Sequence, residues 1–151
     1  MRKINKIVIH CSATKESQNF TVADITKWHK ARGFATIGYH YVIYLDGTIR
    51  EGRPENQIGA HVTGQNSDSI GICYIGGLDK NERPKDTRTD VQKVALIALI
   101  KELKEKYPDA KVLGHRDCSP DLNGNSIIEE WEWLKACPCF DAKKEYNNEK
   151  L

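Results

Sequence analysis

Short apolar runs that alternate with helical patterns most limit how this chain can fold. The runs KIVIH at residues 6–10 and SIGICYI at residues 69–75 are typical of buried strands. Residues 89–107 instead carry apolar side chains at helical spacing behind a capping box of Thr89 and Gln92. Because strands that alternate with helices form layered domains, the sequence predicts an α/β fold, a single domain with a central mixed β-sheet flanked by helices.

Further elements follow from the same patterns. In chain order they are a helix from Thr21 to Gly33, a hairpin of residues 38–45 and 48–51 joined at Asp46-Gly47, a short strand at residues 111–114 and a last helix at residues 128–134. The helix at residues 89–107 has a wide apolar face that is expected to be buried against the sheet: Val91, Val94, Leu96, Ile97, Leu99, Ile100 and Leu103. We predict one domain at residues 1–141 and a charged C-terminal tail at residues 142–151 that frays.

Length and charge exclude several classes of protein. A chain of 151 residues with 39% hydrophobic content suits one domain that buries roughly 70% of its unfolded surface. The 23 basic and 21 acidic side chains form no basic stripe of the kind that nucleic-acid binding requires. The apolar runs are too short for a signal peptide or a membrane span. We therefore expect a monomer that is made in the cytoplasm without a signal peptide, with no nucleic-acid partner and no membrane insertion.

The five cysteines are an odd number in a chain without an export signal, so reduced thiols are expected rather than a disulfide framework. Two of them flank a proline in KACPCF, at residues 135–140. A bridge between Cys137 and Cys139 would close a strained ring around Pro138. Each of the two is therefore interpreted as either a buried thiol or a metal ligand.

Two histidines directly follow apolar strands, His10 after KIVI and His115 after KVLG. Open α/β sheets place ligand sites at the carboxyl ends of their strands. A cysteine from KACPCF would complete a His, His, Cys set, and three protein ligands with one open position are typical of catalytic zinc. Spacing alone does not single out this set, because five histidines and five cysteines offer many other triples.

Five segments occur in a fixed order along the chain: IVIHCSAT, GYHYVIYLDGTIREGRP, GAHVTGQNSDSIGICYIGG, GHRDCSP and KACPCFD. Together they resemble the zinc-dependent N-acetylmuramoyl-L-alanine amidases of the bacteriophage-lysozyme and peptidoglycan-recognition type, the amidase type 2 family, over residues 4–141. The resemblance implies metal ligands at His10, His115 and Cys137. It also implies a catalytic tyrosine at Tyr39 and a catalytic lysine at Lys135.

The reaction that this resemblance implies is hydrolysis of the amide between N-acetylmuramic acid and L-alanine, with peptidoglycan or a muropeptide as the substrate. One zinc ion would lower the pKa of its bound water to about 7 and polarise the carbonyl. The Tyr39 hydroxyl and the Lys135 ammonium are residue types suited to stabilising the oxyanion. Either Lys135 or the zinc-bound water could then protonate the leaving amine.

The remaining histidines receive weaker assignments. His61 and Asn66 in GAHVTGQN match a loop that lines the substrate groove in the family, so the resemblance assigns them to substrate binding. A histidine before a glycine-rich loop is also a common turn residue. His29 on the first helix and His40, which points away from Tyr39 if the strand alternates, are interpreted as structural.

The other cysteines are interpreted as bystanders. Cys139 occupies a position that is typically serine in the phage-lysozyme pattern. The rest of the thiols are expected to be packed or incidental: Cys11, Cys73 and Cys118.

Residues 121–132, DLNGNSIIEEWE, carry a second pattern that the family does not require. As a twelve-residue calcium loop it would place these residues at the ligand positions 1, 3, 5 and 12: Asp121, Asn123, Asn125 and Glu132. Ser126 stands at position 6, where the positive φ usually taken by glycine costs serine about 1 kcal/mol or more. The few carboxylates predict weak calcium binding. A bound ion would hold the segment that carries Lys135 and Cys137 in place. The alternative is an Asn/Gly turn that caps the last helix.

Two other function classes stay open. One is a recognition module that binds muropeptides without cutting them, although the presence of Tyr39, Lys135 and Cys137 favours cutting. The other is a cysteine hydrolase that uses Cys11 or Cys118 and is insensitive to chelators. Because the substrate lies in the cell wall, the amidase interpretation fits a phage-type enzyme released through a membrane lesion, a protein trimmed of its signal, or one that handles imported wall fragments.

Overall fold

The computed structural model describes residues 2–147 as one layered α/β domain. Its elements in chain order are β1 (Lys6–Cys11), β2 (Thr14–Lys15), α1 (Val22–Ala31), β3 (Tyr41–Ile43), β4 (Ile49–Glu51), β5 (Ser69–Tyr74), β6 (Gly77–Leu78), α2 (Asp90–Lys106), β7 (Lys111–Gly114) and α3 (Ala142–Tyr146). The central sheet has the order β4-β3-β5-β1-β7, and β2 pairs with β6 separately. Only β4 is antiparallel in the central sheet. The predicted mixed sheet with flanking helices is confirmed.

Strand β1 shows how the layers arise from a period of two. Ile7 and Ile9 point to the face covered by α2 and pack in one core cluster with Leu96 and Leu99. Adjacent strand residues point to opposite faces, so His10 lies on the other face, where Ile25 of α1 belongs to a second core cluster. The sequence alternation therefore buries one side of β1 in the core and directs His10 to the α1 side.

Helix α2 is the longest element, and its predicted capping box is present. Thr89 and Gln92 each accept a hydrogen bond from the other's backbone N–H. The predicted burial of the whole apolar face is wrong, because Val91, Val94 and Ile97 are exposed, Val94 to 68%. A stripe at a spacing of three and four residues faces the sheet, and the buried α2 side chains are Gln92, Ala95, Leu96, Leu99, Ile100 and Leu103.

Two predicted elements are shorter in the structure. The strand expected at residues 38–45 contains only Tyr41–Ile43, so Tyr39 lies in the segment that enters it. The helix expected at residues 128–134 is only a 3₁₀ turn at Glu130–Glu132. It ends there because Trp133 is extended and the backbone N–H of Leu134 donates to Ser119 Oγ at 3.1 Å rather than to a helical carbonyl.

The expectation that the chain frays from residue 142 is wrong for residues 142–147. Ala142 and Tyr146 of α3 are buried in the main core. Arg88 donates to the Tyr146 hydroxyl at 2.7 Å, and Asn147 exchanges two hydrogen bonds with the backbone of Val112. The part of the predicted tail at residues 148–151 lies outside the described residues.

Within residues 2–147, no helix is both long enough and sufficiently apolar to span a membrane.

Candidate metal centre

Two neighbouring strands deliver the two histidines of the site. Strands β1 and β7 are parallel, and Ile9 pairs with Gly114 in their register. His10 and His115 are the next residues along each strand direction, so both side chains start from the same edge of the sheet. Their ring centroids lie 4.8 Å apart.

Cys137 reaches this edge because its segment runs tightly against β1 and β7. The backbone N–H of Cys11 donates to Cys137 Sγ at 3.1 Å, and the N–H of Arg116 donates to the Cys137 carbonyl at 2.8 Å. Gly114 permits this approach, because a Cβ at that position would lie 2.6 Å from Pro138 Cδ. The thiol is thus positioned by the backbone of both strands.

These three side chains form the candidate metal centre: His10, His115 and Cys137, whose ligand atoms all lie within 4.8 Å of one another. Burial lowers the pKa of His115 to about 4, with a further contribution from the Lys135 ammonium. Burial also holds the pKa of His10 well below its usual range. Both imidazoles are therefore neutral at pH 7, which is the form that binds a metal. Two imidazoles and one thiolate are a ligand set that suits catalytic zinc, which usually has three protein ligands and leaves the fourth position to water.

The centre lies in a cleft of 530 Å³ that also contains Tyr39 and Lys135. The Tyr39 ring centroid is 5.0 Å from that of His10. Burial raises the pKa of Tyr39 well above its usual range, so the phenol keeps its proton. Lys135 is exposed, and its charge acts on both histidines of the centre. One cleft thus holds three candidate metal ligands, a hydroxyl donor and an ammonium group.

The family model described as N-acetylmuramoyl-L-alanine amidase matches residues 1–138. The chain belongs to this amidase family. The family that the sequence resembles is therefore confirmed, and the protein is an enzyme that hydrolyses the amide between N-acetylmuramic acid and L-alanine in peptidoglycan.

Relatives of this amidase occur among phage and bacterial enzymes and animal recognition proteins. An endolysin of Klebsiella phage KP32 is 37% identical over 150 residues, which cover 99% of this chain and 90% of the relative. The solved amidase LysC from Clostridium intestinale URNW matches with a TM-score of 0.72 and 33% identity, over 95% of this chain and 82% of that one. A Drosophila PGRP-LB variant in complex with tracheal cytotoxin matches with a TM-score of 0.72 and 26% identity, over 96% and 80%.

His61 directly contacts His10, one of the three candidate metal ligands. Its Nδ1 lies 2.8 Å from His10 Nε2, and its Nε2 lies 3.1 Å from Ser69 Oγ. When His10 Nε2–H donates to His61, the Nδ1 lone pair of His10 is left for a metal, so this hydrogen bond selects the tautomer. Burial lowers the pKa of His61 to about 3, so the ring is neutral and its Nδ1 can accept the hydrogen bond from His10. The ring packs on Gly71, where a Cβ would lie 2.7 Å from it.

Replacing His61 with phenylalanine is expected to weaken zinc binding by about 10–100-fold, the usual effect of losing a partner of a metal-bound histidine. The ring shape is kept, but the hydrogen bond to His10 is lost. His61→Asn is the matched control, because its amide places a polar atom near the position of Nδ1 and should retain more affinity. Zinc titration against a competing chromophoric chelator measures the affinity. Equal zinc affinity in the phenylalanine variant and the parent would contradict the role.

Asn66, the second residue assigned to substrate binding, also lines the cleft. Its side-chain oxygen accepts hydrogen bonds from the backbone N–H groups of His61 and Val62 at 2.9 and 2.8 Å. Asn66 therefore shapes the loop that carries His61. The role of both residues in substrate binding stays a prediction.

The remaining predicted structural histidines have backbone partners. His29 Nδ1 accepts from the N–H of Gly38 at 2.8 Å, and His40 Nδ1 accepts from the N–H of Gly71 at 3.0 Å. Several residues of the cleft wall are not among the site residues predicted from the sequence: Trp28, Arg32, Phe34, Ser119 and Leu134. Arg32 and Phe34 flank the glycine that ends α1, and no spacing in the sequence relates them to His10.

The geometry does not favour a cysteine nucleophile. Burial raises the pKa of Cys118 to about 11, and the hydrogen bond with Cys137 raises that of Cys11 further, so neither thiol ionises readily at neutral pH. Cys139 Sγ donates to the Gly77 carbonyl at 3.2 Å and lies 3.9 Å from Cys11 Sγ. A separate cavity of 680 Å³ is lined in part by Lys104 and Lys143. None of the three candidate metal ligands lines it.

Proposed function

We propose that this amidase is zinc-dependent and that His10, His115 and Cys137 hold one catalytic ion. The observation that carries the proposal is the convergence of their ligand atoms within 4.8 Å in the cleft that also contains Tyr39 and Lys135. Neutral imidazoles and a thiolate are the ligands that zinc prefers. A zinc ion held there would lower the pKa of water and so supply hydroxide as the nucleophile at neutral pH, and it would polarise a carbonyl group.

The chain's own side chains supply the rest of the chemistry. Because the pKa of Tyr39 is raised by burial, its hydroxyl remains a donor and can hydrogen-bond to the oxygen of the scissile carbonyl as negative charge develops there. The Lys135 ammonium lies in the same cleft and can stabilise that charge and donate a proton to the leaving amine of L-alanine. Both groups act more strongly on the transition state than on the neutral amide, which is the requirement for catalysis.

The proposed substrate is a muropeptide unit of the cell wall, and the proposed setting is wall lysis after phage-type release. The similarity to a phage endolysin and to a recognition protein in complex with tracheal cytotoxin supports this proposal. The cleft has polar groups at His61 and Asn66 and aromatic groups at Trp28 and Phe34. Such a combination suits a ligand that has both sugar and peptide parts. Action as a monomer without a nucleic-acid partner is part of the same proposal.

Chelation followed by zinc restoration tests the proposal. Purified peptidoglycan is digested with the untreated protein, with the chelated protein and with chelated protein that has received zinc, and newly freed L-alanine amino groups are measured. Chelation should abolish amine release and zinc should restore it, whereas magnesium at the same concentration should not. Amine release that survives complete zinc removal would refute zinc dependence. Peptidoglycan binding without amine release by the zinc-loaded protein would support the recognition-module alternative.

A further inference from the structure

Residues 121–132 form a loop between His115 and Cys137 that the proposed reaction does not use. No residue of this loop lines the cleft of the metal centre. The 3₁₀ turn at Glu130–Glu132 is its only regular element. Two of its carboxylates, those of Glu132 and Asp121, have buried oxygen atoms, which is unusual for acids in a surface loop.

Glu132 is the more deeply buried of the two, with only 2% of its surface exposed. Its carboxylate accepts hydrogen bonds from the backbone N–H groups of Leu122 and Glu129. Within residues 2–147, no lysine, arginine or histidine forms an ion pair with it. A buried carboxylate is costly unless a positive charge compensates it. The two N–H groups hydrogen-bond this carboxylate, but no cationic side chain among the described residues balances its charge, and a bound cation would do so.

Asp121 gives an independent indication at the other end of the loop. Its Oδ2 accepts from the N–H of Ser126 at 2.7 Å. Its Oδ1 is buried and has no hydrogen-bond partner among the described residues. Buried carboxylate oxygens are almost always satisfied by a donor or a metal ion. Asp121 and Glu132 thus both present carboxylates that favour a bound cation.

The side chains of Asn123 and Asn125 both contact Glu129. Glu129 Oε1 accepts from the amides of Asn123 and Asn125 at 3.0 and 2.7 Å. Asn125 Oδ1 also accepts from the N–H of Ile127 at 3.0 Å. Ser126 adopts φ of +67°, the conformation that the sixth position of a calcium loop requires. These contacts give the loop its shape and place oxygen-bearing side chains at alternate positions.

We propose that residues 121–132 bind Ca²⁺ through side-chain oxygens of Asp121, Asn123, Asn125 and Glu132, a site separate from the zinc centre. All the proposed ligand atoms are oxygens. Oxygen ligands suit a hard cation such as Ca²⁺, whereas zinc prefers nitrogen and sulfur. Ca²⁺ accepts the irregular coordination that a loop of carboxylate and amide oxygens offers, whereas Mg²⁺ demands a near-ideal octahedron. With few carboxylates, the affinity should lie in the range of about 10⁻⁴–10⁻³ M that is typical of extracellular modules.

The position of the loop gives the ion a structural role. Glu132 is followed directly by the segment that carries Leu134 and Lys135 into the cleft and Cys137 to the metal centre. A bound ion ties Glu132 to Asp121 and so fixes the start of this segment. Ca²⁺ should therefore stabilise the cleft wall without taking part in the reaction.

Thermal unfolding of the zinc-loaded protein in calcium-depleted buffer tests the proposal. Addition of about 10 mM CaCl₂ should raise Tm by about 3–6 °C for an affinity near 1 mM, whereas the same concentration of MgCl₂ should have little effect. The double variant Asp121→Asn, Glu132→Gln keeps the size of both side chains and should lose the shift. The matched control Glu105→Gln, Asp109→Asn removes two exposed acids outside the loop and should keep it.

Terbium luminescence gives a second measurement if the double variant folds poorly. Trp131 donates to Glu129 Oε2 at 3.3 Å, so excitation of its indole should sensitise Tb³⁺ bound in the loop, and Ca²⁺ should displace that signal. The proposal is overturned if Mg²⁺ and Ca²⁺ raise Tm equally, if the loop variant keeps the shift, or if Ca²⁺ displaces no signal. Cys137→Ser should retain the calcium shift, which separates failure of this proposal from failure of the zinc centre.

Discussion

Cys137→Ser is expected to reduce amidase activity by on the order of 10³-fold and to lower the bound zinc well below one ion per chain. The serine hydroxyl is a much weaker zinc ligand than a thiolate. Loss of the several kcal/mol that a metal ion contributes to transition-state charge stabilisation corresponds to a rate loss of about this size. Metal analysis after dialysis and amine release from peptidoglycan measure the two effects.

Cys139→Ser is the matched control for that prediction. It makes the same chemical change two positions further along the chain, where the thiol donates to the Gly77 carbonyl and a hydroxyl can do the same. Zinc content and amine release should stay close to those of the parent protein. If Cys137→Ser kept both at the parent level, the proposed ligand set would be wrong.

Tyr39→Phe is expected to lower kcat by about 10²–10³-fold, the usual effect of removing one donor to an oxyanion. Because the hydroxyl is proposed to act on developing charge, KM and zinc content should change little. Steady-state kinetics on a soluble muropeptide measure kcat and KM separately.

The control for Tyr39 is Tyr41→Phe, since the Tyr41 hydroxyl donates to Glu55 and does not line the cleft. Its kcat should remain near the parent value, although the lost hydrogen bond lowers stability. A Tyr39→Phe enzyme with unchanged kcat would exclude an oxyanion contact from this hydroxyl.

Local patterns in the sequence were sufficient to predict the two strands that position His10 and His115. The β1 strand and the short strand before His115 are continuous apolar runs, and parallel pairing then brings His10 and His115 to one edge. The Thr89 capping box likewise depends on residues only three positions apart. Cys137 is different, because its position depends on contacts with the distant Cys11 and Arg116 backbones, and family resemblance rather than spacing identified it.

The errors in the sequence analysis came from tertiary contacts. Residues 128–134 have helical spacing, but Ser119 binds the N–H of Leu134 and the chain leaves the helical conformation. Val94 is apolar yet exposed, because the sheet covers only one stripe of α2. The contact between His61 and His10 joins residues on separate segments, so no local pattern in the sequence contains it.

The proposed ligands are far apart in the sequence, and this affects when activity appears during synthesis. His10 lies on the first strand, whereas His115 and Cys137 follow the last strand of the sheet. During synthesis, a ribosome exposes His10 long before the other two, so a nascent chain has no complete zinc site. The zinc site is therefore complete only after the segment that carries Cys137 has been synthesised and has packed against the sheet, and translation products that end before it should not cut the wall.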